Sequence, residues 1–210
     1  MTEEKTISYT INNTYSTLNK LTNATKNNWF VIHGLGFLSK YFIKYFDELN
    51  KEENYIVAPQ AQNKHYLKNQ YKHVGTTWLT KNNTQFDIVN VLAHLDAVYS
   101  AEGLPESTNN ILLGFSQGVS IVTRWVASRQ IPCNTLVLYA GKIPREFKPN
   151  HFKHISRVLL IVGDKDEYVT TEVLLAETKY AQELFGNKLE IKVFDGTHEM
   201  KKNIINSILS

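Results

Sequence analysis

Residues 110–122 read Asn-Ile-Leu-Leu-Gly-Phe-Ser-Gln-Gly-Val-Ser-Ile-Val, and no other stretch limits the possible folds as tightly. An apolar run enters Gly-x-Ser-x-Gly, and a helical pattern begins directly after it. That order predicts a buried strand, a sharp turn and a helix, with the hydroxyl of Ser116 at the apex. Gly114 and Gly118 leave room where a Cβ would strike the neighbouring strand or helix. The backbone N–H of Gln117, first in the helix, is expected to face the place where negative charge would develop beside that hydroxyl. The pentapeptide is built of common residues, so its weight comes from standing between a strand and a helix.

The rest of the chain repeats the strand-then-helix rhythm. Apolar runs at residues 28–32, 55–58, 135–139, 158–162 and 189–194 predict buried strands. Helical spacing marks residues 39–49, 84–100, 117–128 and 171–185, and an amphipathic helix closes the chain through Leu209. Residues 6–11 and 15–21 alternate imperfectly around Asn12-Asn13, which predicts an opening antiparallel hairpin. Residues 60–80 read as the longest irregular stretch, of the kind that often carries function. The expectation is an α/β fold over residues 1–210: one domain, a mostly parallel sheet covered on both faces, an N-terminal antiparallel hairpin and no large cap.

Composition narrows the function classes. With 210 residues and 42% hydrophobic content the chain can bury a sizeable core. A net charge of +3 without a basic run or aromatic-interleaved patch gives no reason to expect nucleic acid. No apolar run reaches the length of a membrane span, and residues 1–5 show no signal-peptide core. A single cysteine, Cys133, fits a reducing cytoplasm and reads as a buried thiol. His65 and His73 have no carboxylate or cysteine at metal-ligand spacing, and His151 and His154 lie in a segment that reads as an irregular surface connection, so no metal is expected.

Three groups at strand ends form a chemical constellation. Ser116 follows the strand before the elbow. Asp166 lies in Gly163-Asp164-Lys165-Asp166, after residues 158–162, and His198 follows residues 189–194. In a parallel sheet the C-terminal ends of strands share one edge, which is where open α/β sheets place their sites. A serine hydroxyl needs a base, a histidine titrating near 6.5 can be one, and a carboxylate fixes the imidazole tautomer. Asp164 and Asp195 compete with Asp166 for the carboxylate role, although Asp195 precedes a glycine and suits a turn.

With these motifs in order, the sequence resembles the phospholipase/carboxylesterase group of α/β-hydrolases, which includes acyl-protein thioesterases. The resemblance covers most of the chain after residue 28. It rests on His33-Gly34-Leu35-Gly36, Ala58-Pro59-Gln60-Ala61, Gly114-Phe115-Ser116-Gln117-Gly118, Gly163-Asp164-Lys165-Asp166 with Val169, and Gly196-Thr197-His198-Glu199. It implies Ser116 as nucleophile, Asp166 as acid, His198 as base, and the Leu35 and Gln117 N–H groups as oxyanion donors. It also implies a cofactor-free hydrolase acting on a small ester or thioester, or on an acylated protein. Phe37, Trp78 and Tyr168 are the expected substrate-facing aromatics, Trp78 within a Gly75-Thr76-Thr77-Trp78 stretch that looks like the family's acyl-site loop; a Trp pinning that loop to the core is the equal alternative. The chain departs from the family pattern at Phe37, Val119 and Thr170. A catalytically idle fold binding a hydrophobic molecule or partner is the competing class.

Overall fold

The alternation of buried runs and helices builds a seven-stranded sheet in the order β1-β3-β2-β6-β7-β8-β9. In chain order these strands are β1 (Tyr15–Leu18), β2 (Asn27–Ile32), β3 (Asn54–Pro59), β6 (Asn109–Phe115), β7 (Thr135–Tyr139), β8 (Arg157–Gly163) and β9 (Leu189–Phe194). The remaining two, β4 (Asn63–Tyr66) and β5 (Val74–Thr77), form a separate antiparallel pair. The computed structural model describes residues 1–69, 71–105 and 107–209.

Pairings from β3 to β9 are parallel, and only β1 runs antiparallel, against β3. Central strands are buried on both faces, so they read as continuous apolar runs in the sequence. Alternate side chains enter two cores. Phe30, Ile32, Leu112, Leu136 and Leu138 face α2 (Thr84–Glu102), α3 (Gln117–Arg129) and α4 (Thr171–Phe185). Trp29, Val31, Leu113, Phe115 and Val137 face α1 (Ser39–Phe42) and α5 (Lys202–Asn206). Gly103 at φ 54 and Gly186 at φ 56 end α2 and α4 in a conformation that glycine tolerates best.

Several expectations change. An antiparallel pairing is present at the N-terminus, but the partner of β1 is β3, in the register Tyr15↔Pro59 to Leu18↔Ile56. Residues 6–11 carry no strand and are exposed. Asn13 explains why no reversal forms at Asn12-Asn13: its Nδ2 donates to Gln60 O at 2.7 Å, and Gln60 N donates to Thr14 O at 3.1 Å. Those bonds carry the chain straight onto the end of β3. Residues 60–80 are not irregular, since β4 and β5 pair from Asn63↔Thr77 to Tyr66↔Val74. All four β4 residues are exposed, so no apolar alternation announced the strand. The helix expected over 39–49 is one α-turn followed by a 3-10 turn at Ile43–Phe46, and the closing helix ends at Asn206.

Candidate active site

The elbow forms where β6 meets α3. Ser116 sits at φ 54 and ψ −116, a region that costs a non-glycine residue energy and persists only when its surroundings enforce it. Those surroundings are close-packed. A Cβ on Gly114 would run into the Gly118 carbonyl, and one on Gly118 into that of Ile32. Ser116 N donates to Tyr139 O at 2.8 Å, tying the turn to β7. Val119, a departure from the family pattern, lies over Gly141 and joins the α2–α3–α4 core.

The constellation closes through side chains brought from three strand ends. Ser116 Oγ lies 2.9 Å from His198 Nε2, and His198 Nδ1 lies 2.8 Å from Asp166 Oδ2. Asp166 Oδ1 accepts the Tyr168 and Val169 N–H groups at 2.8 and 2.9 Å, so the carboxylate is fully engaged and its side chain is completely buried. With the carboxylate on Nδ1, the proton sits there and Nε2 is free to accept from the serine hydroxyl. The imidazole lies over Phe115, centroids 5.2 Å apart, and meets Tyr168 edge-on at 4.8 Å.

The competing carboxylates have other employment. Asp164 Oδ1 accepts Gly196 N–H at 2.9 Å, which joins the loop after β8 to the one carrying His198. Asp195 is exposed and pairs with Lys165 at 2.6 Å. Neither touches His198.

The segment His33-Gly34-Leu35-Gly36 follows β2 and is held from several sides. The buried His33 ring has Nδ1 2.8 Å from Gly34 O, while Nε2 accepts Ala61 N–H at 3.2 Å. Those partners assign the proton to Nδ1, and burial pulls the His33 pKa down to about 4. Gly36 N donates to Thr76 O at 2.8 Å, and Gln60 Nε2 reaches Thr76 Oγ1 at 2.9 Å. The Leu35 side chain is exposed, and its N–H takes no internal acceptor among the described residues. As the first residue of α3, Gln117 also has an N–H without an intrahelical partner.

Sequence reasoning missed what the Gln117 side chain does. Its Oε1 accepts Trp78 N–H at 2.9 Å, and its Nε2 donates to Leu79 O at 2.9 Å and Thr77 Oγ1 at 3.0 Å. The helix start and the segment after β5 are thereby clamped together. Nothing local in the sequence signals a contact between residues forty apart. For Gln60 and His33 a signal existed, since both lie in family motifs, but it carried no role.

Of the three expected substrate-facing aromatics, two stand near the reacting groups. Tyr168 is exposed beside His198, and half-buried Phe37 meets the Phe115 ring edge-on at 5.8 Å. Trp78 corrects the expectation. Its side chain is fully buried, donates Nε1–H to His33 O at 2.8 Å and lies against the His33 ring. An indole with no exposed surface and its one donor engaged supports the loop from beneath and offers a substrate no contact. Cys133 is buried, and burial pushes its thiol up to about 12, leaving it inert.

This arrangement can be compared with known proteins. No curated protein matches the sequence. Among solved structures, Zea mays acyl-protein thioesterase 2 superposes with a TM-score of 0.71 at 14% identity, covering 94% of this chain and 96% of that one. A phospholipase/carboxylesterase from Dyadobacter fermentans gives 0.67 at 19% identity, covering 97% and 99%. A carboxylesterase from Mesorhizobium loti gives 0.69 at 16% identity, covering 87% and 88%. At such identities the likeness speaks for the fold. The family model described as phospholipase/carboxylesterase matches residues 13–210, and so the chain belongs to the phospholipase/carboxylesterase family of α/β-hydrolases.

Proposed function

We propose that the chain is a serine hydrolase that cleaves carboxylic esters through Ser116, His198 and Asp166 and an acyl-enzyme intermediate. The observation that carries this reading is the unbroken hydrogen-bonded line from Ser116 Oγ through His198 to Asp166. Ser116 Oγ attacks the ester carbonyl carbon as His198 Nε2 takes its proton. The carbonyl oxygen becomes an oxyanion, stabilised by the Leu35 and Gln117 N–H groups, which take no internal acceptor among the described residues. Asp166 holds the imidazole and offsets its transient charge. As the tetrahedral intermediate collapses, the C–O bond to the alcohol breaks and His198 returns the proton to the departing oxygen. Water, deprotonated by His198, then attacks the acyl-serine and releases the acid.

The same groups act on a thioester, whose thiol departs in place of the alcohol. Thioesterase activity toward a small thioester or an acylated protein is therefore the second reading, favoured by the fold shared with an acyl-protein thioesterase. No described helix is long and apolar enough to cross a membrane. We place the reaction in the cytoplasm, in one domain spanning residues 1–210.

Fluorophosphonate labelling tests the reading. The wild type should be labelled on Ser116, and Ser116→Ala should lose both label and about 10⁴–10⁶ in kcat while staying folded. p-Nitrophenyl esters of increasing length, run beside an acyl thioester, then separate the two readings. A folded wild type that resists labelling and cleaves none of them is a binding protein with an idle constellation.

A further inference from the structure

A groove of about 580 Å3 lies between α3, α4 and the segment after β7, a size suited to a small molecule. Two of its walls begin at the elbow. Ser120 lines it one turn of α3 beyond Ser116, about 6 Å along the helix axis. Gly141 packs on the Ser116 carbonyl with no space for a Cβ, and the next residue, Lys142, lines the groove. The groove thus starts about one helical turn from the elbow that carries Ser116, within reach of the far end of a substrate held there.

The charges in the groove do not cancel. Arg124 reaches Ser120 Oγ and pairs with Glu146 at 2.8 Å. Arg145 pairs with Glu177, a carboxylate on a residue only 2% exposed, which also accepts Ile143 N–H at 2.9 Å. Each carboxylate in the groove therefore already has its arginine. Lys142 is exposed and has no ion-pair partner among the described residues. One positive charge is left over, beside two guanidinium groups that each carry five N–H donors. Pro144 and Val173 supply an apolar side. By bonding the Ile143 N–H and Arg145, Glu177 ties to α4 the backbone on which Lys142 stands.

We infer that this groove takes a carboxylate carried by the substrate, several bonds from the carbonyl that Ser116 attacks. The inference rests on the hydrolase reading above and narrows it to acidic esters or thioesters. A carboxylate fits better than a phosphate because one surplus positive charge balances a monoanion, whereas a phosphate group carries about 1.5–2 negative charges at neutral pH. The apolar side accommodates the methylene spacer between the two ends.

Two matched pairs of substrates test it. p-Nitrophenyl hydrogen glutarate and its methyl ester place the charge or its cap on the acyl side. S-butyryl 3-mercaptopropionate and its methyl ester place it on the leaving group. In at least one pair the free acid should be favoured in kcat/KM by about tenfold, a preference that weakens in high salt. Lys142→Glu should abolish the preference and Lys142→Arg should keep it; Lys142 is exposed, so both variants are expected to fold. Cleavage of all four substrates without discrimination by charge, or with discrimination indifferent to Lys142, overturns the groove assignment alone. Cleavage of none by a protein whose Ser116 still takes the fluorophosphonate label overturns this inference alone; cleavage of none together with no labelling overturns the hydrolase reading and this inference with it.

Discussion

Ser116 keeps its left-handed backbone because the Tyr139 carbonyl holds its N–H while Gly114 and Gly118 let the strand and helix approach. Ser116, Asp166 and His198 were expected at one edge because each follows an apolar run and strand ends share an edge in a parallel sheet, and their side chains do lie within hydrogen-bond distance, Ser116 to His198 and His198 to Asp166. The choice among carboxylates could not be made that way, since Asp164 and Asp166 lie two residues apart in one loop. Their partners separate them: Asp166 touches the imidazole, Asp164 the Gly196 N–H. Asp166→Asn should lower kcat about 10⁴-fold by misplacing the tautomer, and Asp164→Asn far less. Ester kinetics on the two variants check this, and the reverse ranking would reassign the acid. Gln117 was legible as a backbone donor only. Its half-buried amide bonds to Trp78 and Leu79 mean that Gln117→Ala should destabilise the fold by about 1–2 kcal/mol, read by urea denaturation. An unaltered midpoint would show that the clamp contributes nothing.

At the level of elements, legibility followed burial. α4 and β7 matched their expected limits because periodicity and terminal signals agreed, with Gly186 stopping the helix. β4 escaped notice because a strand exposed on every residue has no period-two signal. The segment it opens supports the loop after β2: Gly36 N bonds to Thr76 O, Thr76 Oγ1 to Phe37 O at 2.7 Å, and the Trp78 indole to His33 O. Trp78 therefore links β5 to the backbone that presents Leu35. Trp78→Phe keeps most of the apolar volume but removes the indole donor, leaving the His33 carbonyl without that bond. The expected cost is about 1–3 kcal/mol in stability, accompanied by a lower kcat as the Leu35 N–H loses its support. Denaturation and ester kinetics measured together check this. A stability loss with kcat unchanged would mean that the indole holds the fold without setting the Leu35 donor.

Across the whole molecule, one histidine is fully buried and two others are half-buried, and that bears on how stability responds to pH. Burial lowers the pKa of His33 to about 4 and also lowers those of His94 and His154. In the unfolded chain these imidazoles titrate near 6.5. Above about pH 6.5 both states hold them neutral, and their contribution to stability is complete. As pH falls below that, the unfolded chain binds protons that the folded chain refuses, so stability drops, and His33 stops contributing to the slope only near pH 4. For His33 alone the loss between about pH 8 and pH 5 is about 2 kcal/mol, and His94 and His154 act in the same direction. The structural cause is specific: protonating Nε2 of His33 removes the acceptor for Ala61 N–H inside the core. His33→Gln retains a donor and an acceptor in a neutral side chain, so its unfolding free energy should fall less steeply over the same range. Urea denaturation of both proteins at several pH values between 5 and 8 measures the two slopes. Equal slopes would show that the acid sensitivity arises elsewhere and that His33 is not held neutral by the fold.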